Sequence, residues 1–190
     1  MSQVDYLEDF VGVAEEFSRL VGNTPLTFLD DPTPCGEWNI RQLMNHVVTG
    51  TQWFTTIIKG EPAPNRSIDV IRDDPDEAVY FAIDSFCMAI SGEGVMDKEF
   101  DFRDTAVSGE RLLRMRTNEL LIHGWDLATA TDQTAAFDDE VAERSLELCR
   151  EQLEGRVREP GGNWGVEQPV PPGATAYQRL VAFSGRTLAS

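Results

Sequence analysis

The sequence predicts an all-α fold: a four-helix bundle with additional short C-terminal helices and an irregular tail. Three observations predict it. Apolar residues recur at i, i+3 and i+4 spacing through several long segments. No stretch keeps up the apolar–polar alternation of a half-buried strand. The chain has 190 residues, 41% of them hydrophobic, enough to bury a core without disulfide staples.

The first helix is expected over residues 4–21, with Leu7, Phe10, Val11, Ala14, Phe17 and Leu20 on one face. "GNTPLTFLDDPTPCGEW" follows, a long loop marked by prolines and turn residues. The second helix begins after Asn39, whose partner three residues on is Gln42, the spacing of a capping box. It runs through "IRQLMNHVVTGTQWFTTIIKG" and stops at Gly60. "EPAPNRS" is a loop. The third helix covers residues 75–91, with Val79, Ala82, Ile83, Phe86, Cys87 and Ile90 inward. "GEGVMDKEFDFRDTAVSGE" is polar and mixed, with room for a short extended piece. The fourth helix spans residues 108–130, and the fifth, 138–154, is capped by Asp138 or Asp139. A Gly- and Pro-rich segment leads to a last short helix at 174–183. Residues 1–154 form the helical bundle of this reading. Residues 155–190 are a tail packed on it within the same domain.

Charge narrows the function. Sixteen basic residues stand against 33 acidic ones, a net charge of −17. Such a chain repels nucleic-acid backbones and anionic membrane surfaces, and no basic arm offsets it, so neither is an expected partner. No segment approaches the ~18 apolar residues of a membrane span, and no signal peptide is visible at the start. Cys35, Cys87 and Cys149 are odd in number, far apart and outside any C-x-x-C, which argues against a disulfide framework and a thiolate zinc site. The expected location is cytoplasmic. Cys35 is read as a small packed hydrophobe, a nucleophilic thiol being the alternative. Trp38, Trp53 and Trp125 are read as core.

The chemistry concentrates in "ELLIHGWDLATAT". At ~100° per residue, His123 falls ~40° from Glu119 and Asp126 ~20° on its other side, on an otherwise apolar stripe. Glu119 and His123, at i and i+4, can touch one small object. The chain's other histidine, His46, lies on the second helix with Leu43, Gly50, Trp53 and Ile57 on its stripe. His46, Glu119 and His123 would together supply a His₂Glu donor set with one coordination position open, as in catalytic zinc sites. The alternatives are core histidines with satisfied hydrogen bonds, an Arg116–Glu119 pair along the helix and a His123–Asp126 pair. With a metal present, Asp126 would accept the ring N–H of His123. No G-x-G-x-x-G, P-loop, G-x-S-x-G or H-E-x-x-H motif occurs.

"TPCGEWNIRQLMNHVV" followed by "NELLIHGWDLATAT" resembles actinobacterial metal-binding proteins related to the N-terminal domain of mycothiol-dependent maleylpyruvate isomerase, within the DinB-like helical bundle superfamily. The resemblance covers roughly residues 4–153, and the ending "PPGATAYQRLVAFSGR" is similar to that of single-domain members. It implies a bundle holding a divalent metal, zinc first and nickel as the alternative, on His46, Glu119 and His123. It also implies mycothiol as cosubstrate, with the metal holding its sulfur as thiolate for attack on an electrophilic carbon. The expected partners are therefore a small-molecule thiol and an electrophilic substrate, with a homodimer admitted. The isomerase carries a second domain that contributes to its active site, and residues 155–190 are too few to stand in for it. That counts against maleylpyruvate isomerisation itself, and thiol transfer or another isomerisation is expected. A non-catalytic metal- or ligand-binding or regulatory protein is the alternative, and a metal-dependent hydrolase using Asp126 as base a second one. Arg179 and Arg186 in the tail are candidates to reach over the metal.

Overall fold

The computed structural model describes residues 4–36, 38–159 and 164–188. Six α-helices and one small hairpin follow in the order α1 (Tyr6–Gly22), α2 (Ile40–Lys59), α3 (Pro75–Ile90), β1 (Glu99–Asp101), β2 (Ala106–Ser108), α4 (Gly109–Ala130), α5 (Asp139–Leu153) and α6 (Ala176–Phe183). The chain is thus predominantly helical, as the periodicity predicts. No helix among the described residues is long and apolar enough to cross a membrane.

The helix ends follow from local chemistry. Asn39 caps α2 in a reciprocal box with Gln42, and Gly60 ends it in the left-handed conformation at φ 69°. Asp138 caps α5 by accepting from two backbone N–H groups. Thr175 and Gln178 form a second capping box at α6. On α1 the buried arc is Phe10, Val13, Ala14, Phe17, Leu20 and Val21. Val11, assigned to the inner face from sequence, is 38% exposed. It lies ~120° from the centre of that arc, whereas Val13 lies within ~40° of it.

The hairpin lies in the polar segment that leaves room for a short extended piece. β1 and β2 pair antiparallel, Phe100 opposite Val107, and this one inward pair is buried while Glu99 and Asp101 face out. Three residues per strand are too few for alternation to register. Among its described residues, the expected loop after α1 holds a 3-10 turn, Leu26–Phe28, and a β-bridge between Pro32 and Asn39. The Thr33 hydroxyl donates to the Trp38 carbonyl at 2.8 Å, and the Arg41 N–H donates to the Leu29 carbonyl. These bonds fold the loop back on the start of α2.

Helix α4 is the centre of the molecule, with α1, α2, α5 and α6 packed around it. From Arg116 to Ala128 only Glu119 and Trp125 are less than buried. The tail is tied to this axis. The Tyr177 hydroxyl donates to the Leu121 carbonyl at 3.0 Å, and its backbone N–H donates to Asp139.

Candidate metal centre

Helices α2 and α4 pack together and bring His46 to Glu119 and His123. His46 Nε2 stands 3.4 Å from Glu119 Oε2, and His123 Nε2 stands 3.6 Å from the same oxygen. The donor atoms of all three lie within 4.8 Å of one another. An ordinary charge-assisted hydrogen bond would be shorter, ~2.7–2.9 Å. Donors on the corners of a zinc tetrahedron with bonds of ~2.05 Å are ~3.4 Å apart. The spacing leaves room for an ion between the donors, while His46 Nε2 and Glu119 Oε2 are also within reach of a direct hydrogen bond. Two imidazoles and a carboxylate also form a set that zinc or nickel accepts.

Each histidine is held differently. His123 Nδ1 lies 3.0 Å from Asp126 Oδ2, leaving Nε2 toward Glu119. Asp126 is fully buried, and Arg186 grips it through Nε to Oδ1 at 3.1 Å and Nη2 to Oδ2 at 2.8 Å. Asp126, placed from sequence on the same stripe, is thus a buried partner of His123 with both oxygens engaged. His46 Nδ1 faces Arg66 Nη2 at 3.3 Å. A guanidinium only donates, so this Nδ1 accepts and the ring proton sits on Nε2, toward Glu119. That arrangement does not suit a metal, because a ligating Nε2 must give its proton to Nδ1. Arg66 is exposed on the loop after α2 and can turn away.

The electrostatics divide the pair. Burial pushes His46 below its usual range, more than its hydrogen bond to Glu119 can lift it. Burial opposes charge on His123 too, but Asp126, Cys35 and Glu119 together raise it well above 6.5. Glu119, lifted by burial, is held well below 4.5 by the close polar contacts of His123 and His46 and by the charge of Arg116. Although its carboxylate lies deep between helices, 38% of the Glu119 side chain is reached by solvent. The cluster is therefore open on one side.

Several neighbours were not assigned to the site from sequence. Trp38, read as core, packs its ring 4.3 Å from that of His46 and 6.0 Å from that of His123. Cys35, read as a packed hydrophobe, sits at the edge with Sγ 3.3 Å from Arg186 Nη2. Cys35, His123 and Asp126 form a second group of close donors. The loop bonds at Thr33 and Arg41 carry both residues there, and periodicity is blind to loops. Arg186, one of the two tail arginines suspected from sequence, reaches the cluster through Asp126. Arg179 instead pairs with Glu143 on α5. An open groove of about 530 Å³ is lined by Trp53, Ile57, Lys98 and Phe100 among others, but by none of His46, Glu119 and His123.

Comparison with known proteins adds the following. Residues 11–85 match the family described as the mycothiol maleylpyruvate isomerase N-terminal domain, a span that includes His46 but stops before Glu119 and His123. Two Mycobacterium tuberculosis proteins, the uncharacterized protein Rv0738 of strain H37Rv and the uncharacterized protein MT0763 of strain CDC 1551, are each 31% identical over 178 residues. The similarity covers 92% of this chain and 93% of theirs. The crystal structure of the mycothiol-dependent maleylpyruvate isomerase matches with a TM-score of 0.61 at 18% identity, over 77% of this chain and 70% of that one. That likeness is one of fold.

Proposed function

This chain belongs to the family of the mycothiol maleylpyruvate isomerase N-terminal domain, and on that premise we propose a divalent-metal enzyme that activates mycothiol or a similar low-molecular-weight thiol. Zinc is the expected metal and nickel the alternative. The reaction is transfer of the thiol to an electrophilic carbon, or an isomerisation that begins with the same attack. One observation carries the reading: Nε2 of His46 and of His123 stand 3.4 and 3.6 Å from Glu119 Oε2, so two helices bring three donors within 4.8 Å of one another.

In this reading His46 Nε2, His123 Nε2 and Glu119 Oε2 would hold the ion, and three protein donors would leave a position for the thiol. A divalent ion supplies positive charge that keeps a bound thiol ionised at neutral pH. Asp126 fixes the ring of His123 so that Nε2 faces the ion, and Arg186 fixes Asp126. Trp38 walls the two rings and excludes water from one side. The thiol approaches where Glu119 meets solvent. Because Arg186 belongs to the site, residues 155–190 are assigned to the same domain as the bundle. A chemistry built on a free low-molecular-weight thiol fits a cytoplasmic location.

Hydrolysis is the weaker reading, since Asp126, the base it needs, is fully buried with both oxygens engaged. The test is calorimetric titration of the zinc-loaded protein with mycothiol, followed by conjugation to a general aromatic electrophile. Saturable thiol binding and conjugation faster than the uncatalysed rate are expected. Absence of thiol binding overturns the reading. Binding without turnover across a broad panel of electrophiles leaves a non-catalytic ligand-binding protein.

A further inference from the structure

We infer that Arg66, Arg103 and Arg116 form a subsite for a carboxylate-bearing ligand beside the three-donor cluster. The inference deepens the reading above by giving the electrophilic substrate an acid group. Its evidence lies in other residues.

Arg116 stands one turn before Glu119 on α4 and is 1% exposed. Among the described residues its Nε and Nη2 have no hydrogen-bond partner. Nη2 approaches Glu119 Oε2 to 3.6 Å, close enough for attraction and too long for a hydrogen bond. Buried guanidinium donors left unpaired destabilise a fold, so open donors here point to a partner that satisfies them. The fold makes room for it: a Cβ at Gly50 would lie 2.8 Å from Arg116 Nη1 and 3.6 Å from Arg66 Nη2. Two guanidinium groups therefore converge over one glycine of α2.

A third cation completes the cluster. The guanidinium carbons of Arg66 and Arg103 lie 5.5 and 5.2 Å from the centre of the Trp53 ring, and both residues are exposed. Among the described residues, Glu119 is the one acid that pairs with any of the three. Although the chain has 33 acidic residues, neither Arg66 nor Arg103 pairs with a carboxylate among the described residues. Once Glu119 serves a metal ion, its charge is committed there. Arg66 is also released, because a ligating His46 presents an Nδ1–H that a guanidinium cannot accept. Two exposed planar forks over an indole, backed by a buried cation, suit a planar carboxylate, which takes bidentate hydrogen bonds along its edge.

The experiment is titration of the purified protein with benzoate, with its neutral isostere benzamide and with inorganic phosphate, read by calorimetry and Trp fluorescence. It is repeated with Arg66→Met and Arg103→Met, both exposed and neither needed for the core. Zinc content is measured in every sample. Benzoate is expected to bind at least about tenfold more tightly than benzamide, and each arginine variant to lose about tenfold for benzoate alone. No saturable benzoate binding, equal affinity for benzamide, wild-type affinity in both variants, or a preference for phosphate each overturns the inference. A wild type without metal that still shows the arginine-dependent preference supports the subsite while removing the metal reading. A metal-loaded wild type indifferent to the carboxylate overturns the subsite and leaves the metal reading intact.

Discussion

His123 Nδ1 and Asp126 Oδ2 lie 3.0 Å apart within one turn of α4, and that contact decides which ring nitrogen faces Glu119. An Asn at 126 keeps the size but loses the charge that holds the ring proton on Nδ1. Asp126→Asn is expected to weaken zinc binding about 10–100-fold, measured by competition with a chromophoric chelator. Unchanged affinity would remove Asp126 from the support of the site.

The proton on His123 competes with metal. Against burial, Asp126, Cys35 and Glu119 raise the pKa of His123 above its ordinary value and so favour its charged form in the metal-free protein. Metal uptake must displace that proton. Apparent affinity should therefore keep rising with pH above 6.5, and uptake at neutral pH should release protons, visible as a binding heat that depends on the buffer. Affinity that levels off at pH 6.5, as an ordinary imidazole would give, contradicts this.

The same shift has a stability consequence for the metal-free protein. A folded-state pKa above the unfolded value means the contribution is fully present below about 6.5 and is lost as pH rises through the elevated folded value. Urea midpoints of metal-free wild type should fall across that interval. A His123→Gln variant should lack this component of the pH dependence, and an identical profile would contradict the assignment.

Arg186 ties the tail to the axis of the molecule through a carboxylate with no exposure to water. Arg186→Met leaves Asp126 with His123 alone and should destabilise the protein by about 3–5 kcal/mol in denaturant titrations. The double variant Asp126→Asn, Arg186→Met should recover part of the loss, because no buried charge is left unpaired. A loss below about 1 kcal/mol in the single variant would show that the pair does not anchor the tail.

Much of this was legible in the sequence where the information is local. Asn39 with Gln42, Gly60 and Asp138 announce helix ends through groups a few residues apart, and the structure caps those helices there. Glu119 and His123 are also local, four residues apart on one helix. That His46 meets them was not legible from periodicity, since a helical wheel does not tell which helices face each other. Trp38 and Cys35 reach the histidines through a loop folded by bonds at Thr33 and Arg41. Arg66, Arg103 and Arg116 converge from three elements on long side chains whose reach no spacing rule encodes. The Phe100–Val107 hairpin is too short to leave a period.

The central claim is that His46, Glu119 and His123 hold a divalent ion. Anomalous diffraction at the zinc edge, from crystals of protein purified without chelator and supplied with zinc, tests it most directly. The account predicts one peak at ~2.0–2.2 Å from His46 Nε2, His123 Nε2 and Glu119 Oε2, absent in crystals of His46→Ala. No peak in the wild type, or a peak among Cys35, His123 and Asp126 that survives His46→Ala, would contradict it.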